Sequence, residues 1–135
     1  MYKYTNSIRV LSDVHCKYDE YLNIIKKCDY SIQLGDLGFD YSVLNNVDSK
    51  LHKVIPGNHE SYDKIFDCPH TLGDFGQRTL NGIDFFFVRG SVSIDCLPRV
   101  KHYILTGEKT WWYEEELSNE ELNNYISGKN GTRRT

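Results

Sequence analysis

The sequence predicts an α/β domain in which a parallel β-sheet core is followed by an antiparallel hairpin. Short apolar-rich segments at 7–11, 30–34 and 50–55 are typical of strands, and helix-favouring segments lie between them. Strands and helices that alternate in this way usually form a parallel sheet with right-handed crossovers. Farther along, Asn81-Gly82 separates two apolar runs, which is a strong signal for a two-residue hairpin turn.

Each element of the parallel core has its own local signal. The first strand, 7–11, is expected to be buried because it is short and rich in apolar residues. The helix after it is predicted over 18–27, where apolar side chains recur at helical spacing: Tyr18, Tyr21, Leu22 and Ile25. A weaker helical segment is predicted at 41–46. The third strand should end at Pro56-Gly57, since proline and glycine interrupt regular structure.

The second half of the chain is predicted to extend this sheet. The hairpin strands are expected at 77–80 and 83–88, so that the sheet continues with antiparallel pairing. Trp111 and Trp112 lie in a polar stretch, where we expect them to pack against the sheet or to form a lid. Either role is favoured over a base-stacking site.

The end of the chain predicts one short helix and a tail. Ser118 and Glu121 form the spacing of a capping box, which predicts a helix through Ile126. The polar residues after it predict a frayed end. We therefore expect a single partial domain over 1–127 and a flexible tail over 128–135.

Composition excludes several function classes. The formal net charge of the 135 residues is -3 and there is no long basic run, which argues against an extended nucleic-acid surface. No stretch approaches the roughly 20 apolar residues that span a membrane, and no signal peptide is recognisable, so a cytoplasmic protein is expected. The cysteines are too widely spaced for a C-x-x-C motif and are expected to be free thiols: Cys16, Cys28, Cys68 and Cys96.

Three polar motifs follow the three predicted strands of the parallel core. They are Asp13-Val14-His15, Gly35-Asp36 and Gly57-Asn58-His59-Glu60. In an open α/β sheet, ligands bind at the edge where the carboxyl ends of the strands meet. Each motif alone is a weak signal, but three in this order, each at a strand end, predict one shared site.

The residue types in these motifs suit divalent cations. Aspartate and histidine supply the oxygen and imidazole ligands that zinc, iron and manganese accept. Asp36 can bridge two cations with its two oxygens, and Asn58 can complete a coordination sphere without adding charge. Two cations about 3.5–4 Å apart can activate a water and hold phosphate oxygens for in-line attack. The motifs therefore predict a metal centre that acts on phosphate esters.

With these motifs, the chain resembles the calcineurin-like metallophosphoesterase superfamily. The family motifs D-x-H, G-D and G-N-H-[DE] stand here as SDVH, LGDLGF and PGNHE. The motif sequences are most similar to those of small bacterial and bacteriophage members. The stretch that contains Arg89, Arg99, Trp111-Trp112 and Glu115 is also similar, so the likeness extends over about 8–126.

The resemblance implies a role for each motif residue. Asp13 and His15 would bind a first cation, Asp36 would bridge to a second, and Asn58 would bind that second cation. His59 would be the catalytic proton donor or transition-state stabiliser near the leaving-group oxygen. The implied cofactor is one or two divalent ions of manganese, iron, zinc or nickel. The implied reaction is hydrolysis of phosphate mono- or diesters by metal-bound hydroxide, with nucleotides and phosphoproteins among the substrates.

The later histidines of the family pattern are missing from this chain. The superfamily uses one histidine after a strand and two more in a G-H-x-H motif, but only His70 and His102 follow His59 here, outside such motifs. We therefore expect a C-terminally truncated domain that lacks the second half of the usual β-sandwich and binds metal more weakly. Two alternatives to an independent enzyme follow: a non-catalytic binding module, or one piece of a split enzyme completed by a second chain or by dimerisation.

Two arginines are candidates for binding substrate. Arg89 and Arg99 could contact the phosphate, since guanidinium binds such oxygens bidentately, although most single arginines are simply solvated. Phe39 stands where some relatives have an aspartate that orients the motif histidine, and Asp40 is next to it. Cys16 follows the D-x-H motif where glycine is common, and we expect it to pack, or to lie near the metal without a role, rather than to bind it.

The remaining histidines are expected to be structural or exposed. His52 lies within the third predicted strand and His70 follows a turn at Cys68-Pro69. His102 is expected on a strand face formed by 101–103. None of the three has the surroundings that the family's ligand histidines have.

Overall fold

The parallel core consists of three short strands. The computed structural model describes residues 6–90 and 93–128. Its parallel strands are β1 (Arg9–Leu11), β2 (Ser31–Gln33) and β3 (His52–Val54), and β2 lies in the middle. The α/β class and the parallel core predicted from the sequence are confirmed.

The strand register aligns the carboxyl ends of all three strands. Leu11 pairs with Gln33, and Gln33 in turn pairs with Val54, so the last residues of the strands lie side by side. The segments that follow the strands therefore leave the sheet at one edge. This alignment brings together motifs that are separated by about two dozen positions in the sequence.

The crossovers between the strands bury the main core. Helix α1 (Tyr18–Ile25) joins β1 to β2, and a 3-10 helix (Tyr41–Leu44) lies between β2 and β3. Tyr21 and Ile25 of α1 are buried, as its helical periodicity predicts. They pack with apolar side chains from loops, 3-10 helices and β3: Val14, Leu37, Leu44, Val54 and Ile65.

The first strand is not buried, contrary to the expectation from its composition. Val10 is 59% exposed and Arg9 is also exposed. The reason is position: among the described residues β1 pairs only with β2, so it forms the edge of the parallel sheet. Composition alone does not distinguish an edge strand from a central one.

The predicted hairpin is confirmed, but it forms a separate sheet. Strands β4 (Phe75–Leu80) and β5 (Ile83–Val88) pair in antiparallel register around Asn81 and Gly82. Both turn residues have positive φ angles, 51° and 72°, which suit a type I′ turn. The expectation that the sheet continues into the hairpin is wrong, since the two strands form a two-stranded sheet of their own.

The chain after β3 explains this separation. The Val54 amide donates to the His70 carbonyl, and the Leu72 amide donates to the Val54 carbonyl. This segment uses the free side of β3, which the hairpin would need in order to join the sheet. The hairpin instead packs through apolar side chains in a second cluster: Ile32, Ile55, Leu72, Leu80 and Phe87.

Helices form the last part of the described chain. Helix α2 (Cys96–Thr106) was not predicted, and it overturns the strand expected at 101–103. Its local signals are Pro98 in the first turn, where a missing amide proton costs little, and Gly107 with φ 77° at its end. Helix α3 (Asn119–Ile126) begins with the predicted capping box of Ser118 and Glu121.

Other expectations concern the whole chain. In the described part of the chain, none of the helices has the length and apolar character of a membrane span. All four cysteines are free thiols. Most of the tail predicted to be flexible, 129–135, lies outside the described residues. The division into one domain and a tail stays a prediction.

Candidate metal centre

Backbone hydrogen bonds tie the first two motif loops together. The Asp13 amide donates to the Gly35 carbonyl at 3.1 Å, and the His15 amide donates to the Asp36 carbonyl at 2.8 Å. These bonds extend the pairing of β1 with β2 beyond the ends of the strands. The positions of Asp13, His15 and Asp36 relative to one another are therefore set by the main chain.

The third motif loop is tied to the second by carboxylates. The His59 amide donates to Asp36 Oδ1 at 3.0 Å. The Leu37 amide donates to Glu60 Oε1 at 2.9 Å, and the Tyr41 hydroxyl donates to Glu60 Oε2 at 2.8 Å. One oxygen of Asp36 therefore orients the loop that carries Asn58.

Glu60 is a buried positioning residue that the sequence interpretation did not single out. Its side chain is fully buried, and that burial raises the pKa of its carboxyl to about 7, although the Leu37 and Tyr41 hydrogen bonds oppose the shift. The last letter of the PGNHE motif was the available signal. Its contacts join the second and third motif loops.

Two glycines allow the second and third loops to approach each other. A Cβ on Gly35 would lie 2.8 Å from the Gly57 Cα, and a Cβ on Gly57 would lie 2.6 Å from the Asp36 nitrogen. Real Cβ atoms do not come so close to a backbone. The glycines that precede Asp36 and Asn58 are thus required by steric contact between the loops.

The ligand atoms of Asp13, His15 and Asp36 form a cluster, all within 4.8 Å of one another. His15 Nε2 lies 3.5 Å from Asp13 Oδ1 and 3.6 Å from Asp36 Oδ2. Two atoms that each lie about 2.1 Å from one cation at a tetrahedral angle are about 3.4 Å apart. The spacing and the donor set, two carboxylates and an imidazole, therefore fit a divalent transition-metal ion.

The same three residues have an uncommon backbone conformation. Asp13, His15 and Asp36 have φ angles of 57°, 45° and 59°, in the left-handed region that side chains other than glycine rarely adopt. Such strain costs on the order of 1–3 kcal/mol per residue and persists where surrounding contacts impose it. Here the cross-loop hydrogen bonds impose it, at each member of the cluster.

The charge of the cluster suits a cation. The hydrogen bond from Ser12 lowers the pKa of Asp13, and the neighbouring His15 lowers it further, so Asp13 stays ionised well below neutral pH. The Asp13 side chain is 66% exposed and that of Asp36 only 15% exposed. An ion would thus reach the site from the Asp13 side and contact Asp36 at its base.

Asn58 and His59 lie at the same edge of the sheet. Asn58 lines a cavity of about 180 Å³ together with Asp13 and Asp36. The His59 ring lies edge-on to the His15 ring, with 5.2 Å between centroids. Among the described residues no hydrogen bond orients the His59 ring. Asp40 instead accepts from the Ser42 amide, and Phe39 packs near Trp112 with 6.1 Å between ring centroids.

Arg89 is buried and engaged by protein groups. Its Nε donates to Asp74 Oδ1 at 2.6 Å, and its Nη1 donates to the Glu114 carbonyl at 2.6 Å. The guanidinium also stacks on the Tyr62 ring, 5.2 Å from the centroid. These contacts give Arg89 a structural role at the base of the hairpin, and contact with substrate phosphate stays a prediction.

Arg99 has a similar environment close to Asn58. It donates to Ser93 Oγ at 2.8 Å, to the Asn58 carbonyl at 3.1 Å and to Glu115 Oε1 at 3.1 Å. It also donates to the Thr110 carbonyl. The guanidinium is therefore next to the third motif loop with its donors in use, and its predicted contact with phosphate also stays untested.

The remaining histidines and the tryptophan pair lie outside the cluster. His52 Nδ1 is bonded to the Ser31 hydroxyl at 2.8 Å, and His70 Nε2 to the Val47 carbonyl at 2.7 Å. His102 is on α2, paired with Glu108 at 2.9 Å. Trp112 is buried and donates from its indole nitrogen to Asp63, which agrees with the expected packing role.

Comparisons with known proteins bear on this site. The family model described as calcineurin-like phosphoesterase matches residues 7–131, which include all three motifs. No curated protein and no solved structure matches the chain significantly. The family's proteins are metal-dependent phosphoesterases, in agreement with the donor set at the sheet edge. On this match, which covers most of its length, the chain belongs to the calcineurin-like phosphoesterase family.

Proposed function

We propose that this chain hydrolyses phosphate mono- or diesters with the help of one or two divalent cations. The observation that carries the proposal is the cluster of Asp13, His15 and Asp36, whose ligand atoms all lie within 4.8 Å of one another. A bound cation supplies the Lewis acidity that activates water and polarises the phosphoester. The native metal is left open among manganese, iron, zinc and nickel.

The proposed roles follow from the surroundings of each side chain. Asp13 and His15 would bind the more exposed cation, and Asp36 would contact both ions from the base of the cavity. Asn58, which lines the same cavity, would contribute its amide oxygen to the second ion. The adjacent His59 would donate a proton to the leaving-group oxygen, a role that suits imidazole near neutral pH.

The substrate proposal is limited to the phosphate ester itself. The open site, with Asp13 66% exposed, is compatible with a phosphate carried by a nucleotide or by a protein. The net charge of -3 gives no support to binding along a nucleic-acid chain. A cytoplasmic location is proposed with this function, because the thiols are free.

The experiment is hydrolysis of an aryl phosphate monoester and an aryl phosphate diester with added Mn²⁺. Asp36→Asn keeps the side-chain shape and the acceptor for the His59 amide, but it removes the charge that binds the cations. We expect activity that chelator abolishes and that falls at least about 100-fold in Asp36→Asn. Asp40→Asn, four residues away and outside the cluster, is the matched control and should keep full activity.

Activity that survives chelator, or that is equal in wild type and Asp36→Asn, would contradict the proposed function. If both Asp36→Asn and Asp40→Asn lose the metal-dependent activity, the cause would instead be a general effect of charge on this loop. The comparison of the two variants separates the ligand role from that effect.

A second candidate is a metal-binding module without independent activity, or one part of an enzyme completed by a second chain. Among the described residues only Asp13, His15 and Asp36 cluster as histidine and acidic ligands. Three ligands from these classes are few for two cations. Mn²⁺ binding that depends on Asp36, without turnover of either aryl ester, would favour this candidate over the first.

A further inference from the structure

The side chain of Asn58 contacts Ser93, which belongs to a group of three buried polar residues. Its Nδ2 donates to Ser93 Oγ at 3.2 Å, and Ser93 in turn contacts Arg99 and Glu115. Ser93, Arg99 and Glu115, called here the amide clamp, are 5%, 8% and 1% exposed. We propose that Ser93 is a positioning residue that turns the Asn58 amide so that its oxygen faces the metal cavity. This inference rests on the proposed function.

The hydrogen-bonding capacity of the Ser93 hydroxyl determines the orientation of the amide. A serine hydroxyl has one proton to donate and two lone pairs to accept. Arg99 can only donate, so its bond at 2.8 Å uses one lone pair of Ser93. The Glu115 carboxylate accepts the single hydroxyl proton. The one remaining lone pair requires a donor, and the only donor of the Asn58 side chain is its NH₂ group.

The opposite amide orientation would leave two acceptors in contact. If Asn58 were turned by 180°, Oδ1 would face a Ser93 oxygen that has no proton left to donate. Two acceptors that face each other with no proton between them are both left unsatisfied, which disfavours this orientation. The amide clamp therefore stabilises one of the two amide orientations over the other, whereas an isolated asparagine has no such preference.

The selected orientation is the one that a cation needs. Because Nδ2 is directed to Ser93, Oδ1 lies on the other side of the amide group, and Asn58 lines the cavity shared with Asp13 and Asp36. An amide binds a cation through its oxygen, whereas its NH₂ group repels one. Ser93 thus supports metal binding without itself being a ligand.

Arg99 and Glu115 keep the hydroxyl of Ser93 in this state. Glu115 Oε1 accepts from Arg99 at 3.1 Å and from the Trp112 amide at 3.3 Å, which holds the carboxylate in place beside Ser93. Arg99 also donates to the Asn58 carbonyl at 3.1 Å, so it holds the main chain of the same residue. Through these contacts the segment after the hairpin orients a ligand on the third motif loop.

The test measures Mn²⁺ affinity rather than turnover. Isothermal titration is performed on wild type, Ser93→Ala, Asn58→Ala and the double variant, with Ser127→Ala as a control, since this exposed hydroxyl lies on the same C-terminal segment. We expect Ser93→Ala to weaken Mn²⁺ binding about 10- to 100-fold, as loss of a group that orients a ligand does. The double variant should bind as weakly as Asn58→Ala alone, because Ser93 acts only through Asn58.

Additive losses in the double variant, or an unchanged affinity in Ser93→Ala, would overturn the inference while leaving the proposed function intact. Wild type that binds no Mn²⁺ would instead contradict the proposed function. A second measurement needs neither a variant nor a metal: NMR exchange of the side-chain NH₂ protons. Those of Asn58 should exchange more slowly than those of the exposed Asn46. Equally fast exchange would overturn the inference.

Discussion

Residues 6–72 and residues 93–128 are held in place by different kinds of contact. The first region supplies most of the two hydrophobic clusters and buries its apolar side chains there. The second region contributes none of the described members of these clusters, and many of its apolar side chains are exposed: Ile94, Leu97, Ile104, Leu105 and Ile126. Its most buried side chains include Ser93, Arg99, Trp112 and Glu115.

The first region supplies the metal ligands of the cluster, whereas the second region supplies contacts that orient the third motif loop. The first region carries Asp13, His15 and Asp36 on loops fixed by backbone pairing. The second region reaches the site through Ser93 and Arg99, by polar contacts that depend on a buried ion pair. We therefore expect the two regions to respond differently to the same kind of substitution.

The largest effect is expected from Arg99→Ala. It leaves Glu115 buried without its partner, and loss of one member of a buried ion pair costs about 3–5 kcal/mol. If the clamp is what attaches the second region, hydrogen exchange followed by mass spectrometry should increase in α2 and much less in β1–β3. Lys101→Ala, on the exposed face of α2, should leave hydrogen exchange unchanged both in α2 and in β1–β3. Equal increases in both regions would contradict the comparison.

A smaller effect, on global stability, is expected from Leu44→Ala. Leu44 is 1% exposed in the cluster beneath the parallel sheet, and such truncations cost about 2–5 kcal/mol. The matched change in the second region, Leu105→Ala, removes a side chain that is 73% exposed and should stay within about 0.5 kcal/mol. Denaturant unfolding measures both. A large loss in Leu105→Ala would indicate that α2 has a packed face after all.

Gly57→Ala is expected to lower the free energy of unfolding by about 1–3 kcal/mol, because its Cβ would clash with the Asp36 backbone. Since that contact lies beside the metal cluster, Mn²⁺ affinity should fall as well. Gly107→Ala, at the end of α2, has free space around its Cβ but a φ of 77°, so we expect a cost of about 1–2 kcal/mol and unchanged Mn²⁺ affinity. Thermal unfolding and Mn²⁺ titration on both variants check this, and an unchanged affinity in Gly57→Ala would be the contrary result.

The smallest effect concerns pH and the buried His52 of β3. Burial lowers the pKa of His52 below its ordinary value of 6.5, and nearby His70 lowers it further. The folded state therefore disfavours the proton on His52, so the contribution of His52 to stability is full above about pH 6.5 and is lost as the pH falls below it. In denaturant unfolding at pH 5–8 with chelator present, His52→Asn should lose part of this dependence. An identical pH profile in wild type and variant would show that His52 does not contribute.

The parallel core and the three motif loops were predictable from the sequence because their signals are local. Apolar runs, helical spacing around Tyr21 and Ile25, and the Asn81-Gly82 turn each depend on neighbours in the chain. Once the strands are parallel, their carboxyl ends share an edge, so the grouping of Asp13, His15 and Asp36 follows from topology.

The second region was less predictable because tertiary contacts decide it. A strand face was expected only at 101–103, within the segment that forms α2, while Pro98 and Gly107, the helix signals, are individually weak. Arg99 has no local sign that it is buried, and its contacts with Ser93 and Glu115 join distant positions. The same holds for Glu60, whose role as a brace depends on Leu37 and Tyr41.

Paramagnetic broadening by Mn²⁺ tests most directly that the three loops bind one cation together. Substoichiometric Mn²⁺ is added to ¹⁵N-labelled protein and the backbone amide signals are followed. The account predicts that signals from residues 12–16, 35–38 and 57–60 broaden first and together, and that Asp36→Asn suppresses the effect. Broadening centred on the acidic stretch at 114–121, or on one of the three loops alone, would contradict a shared metal site.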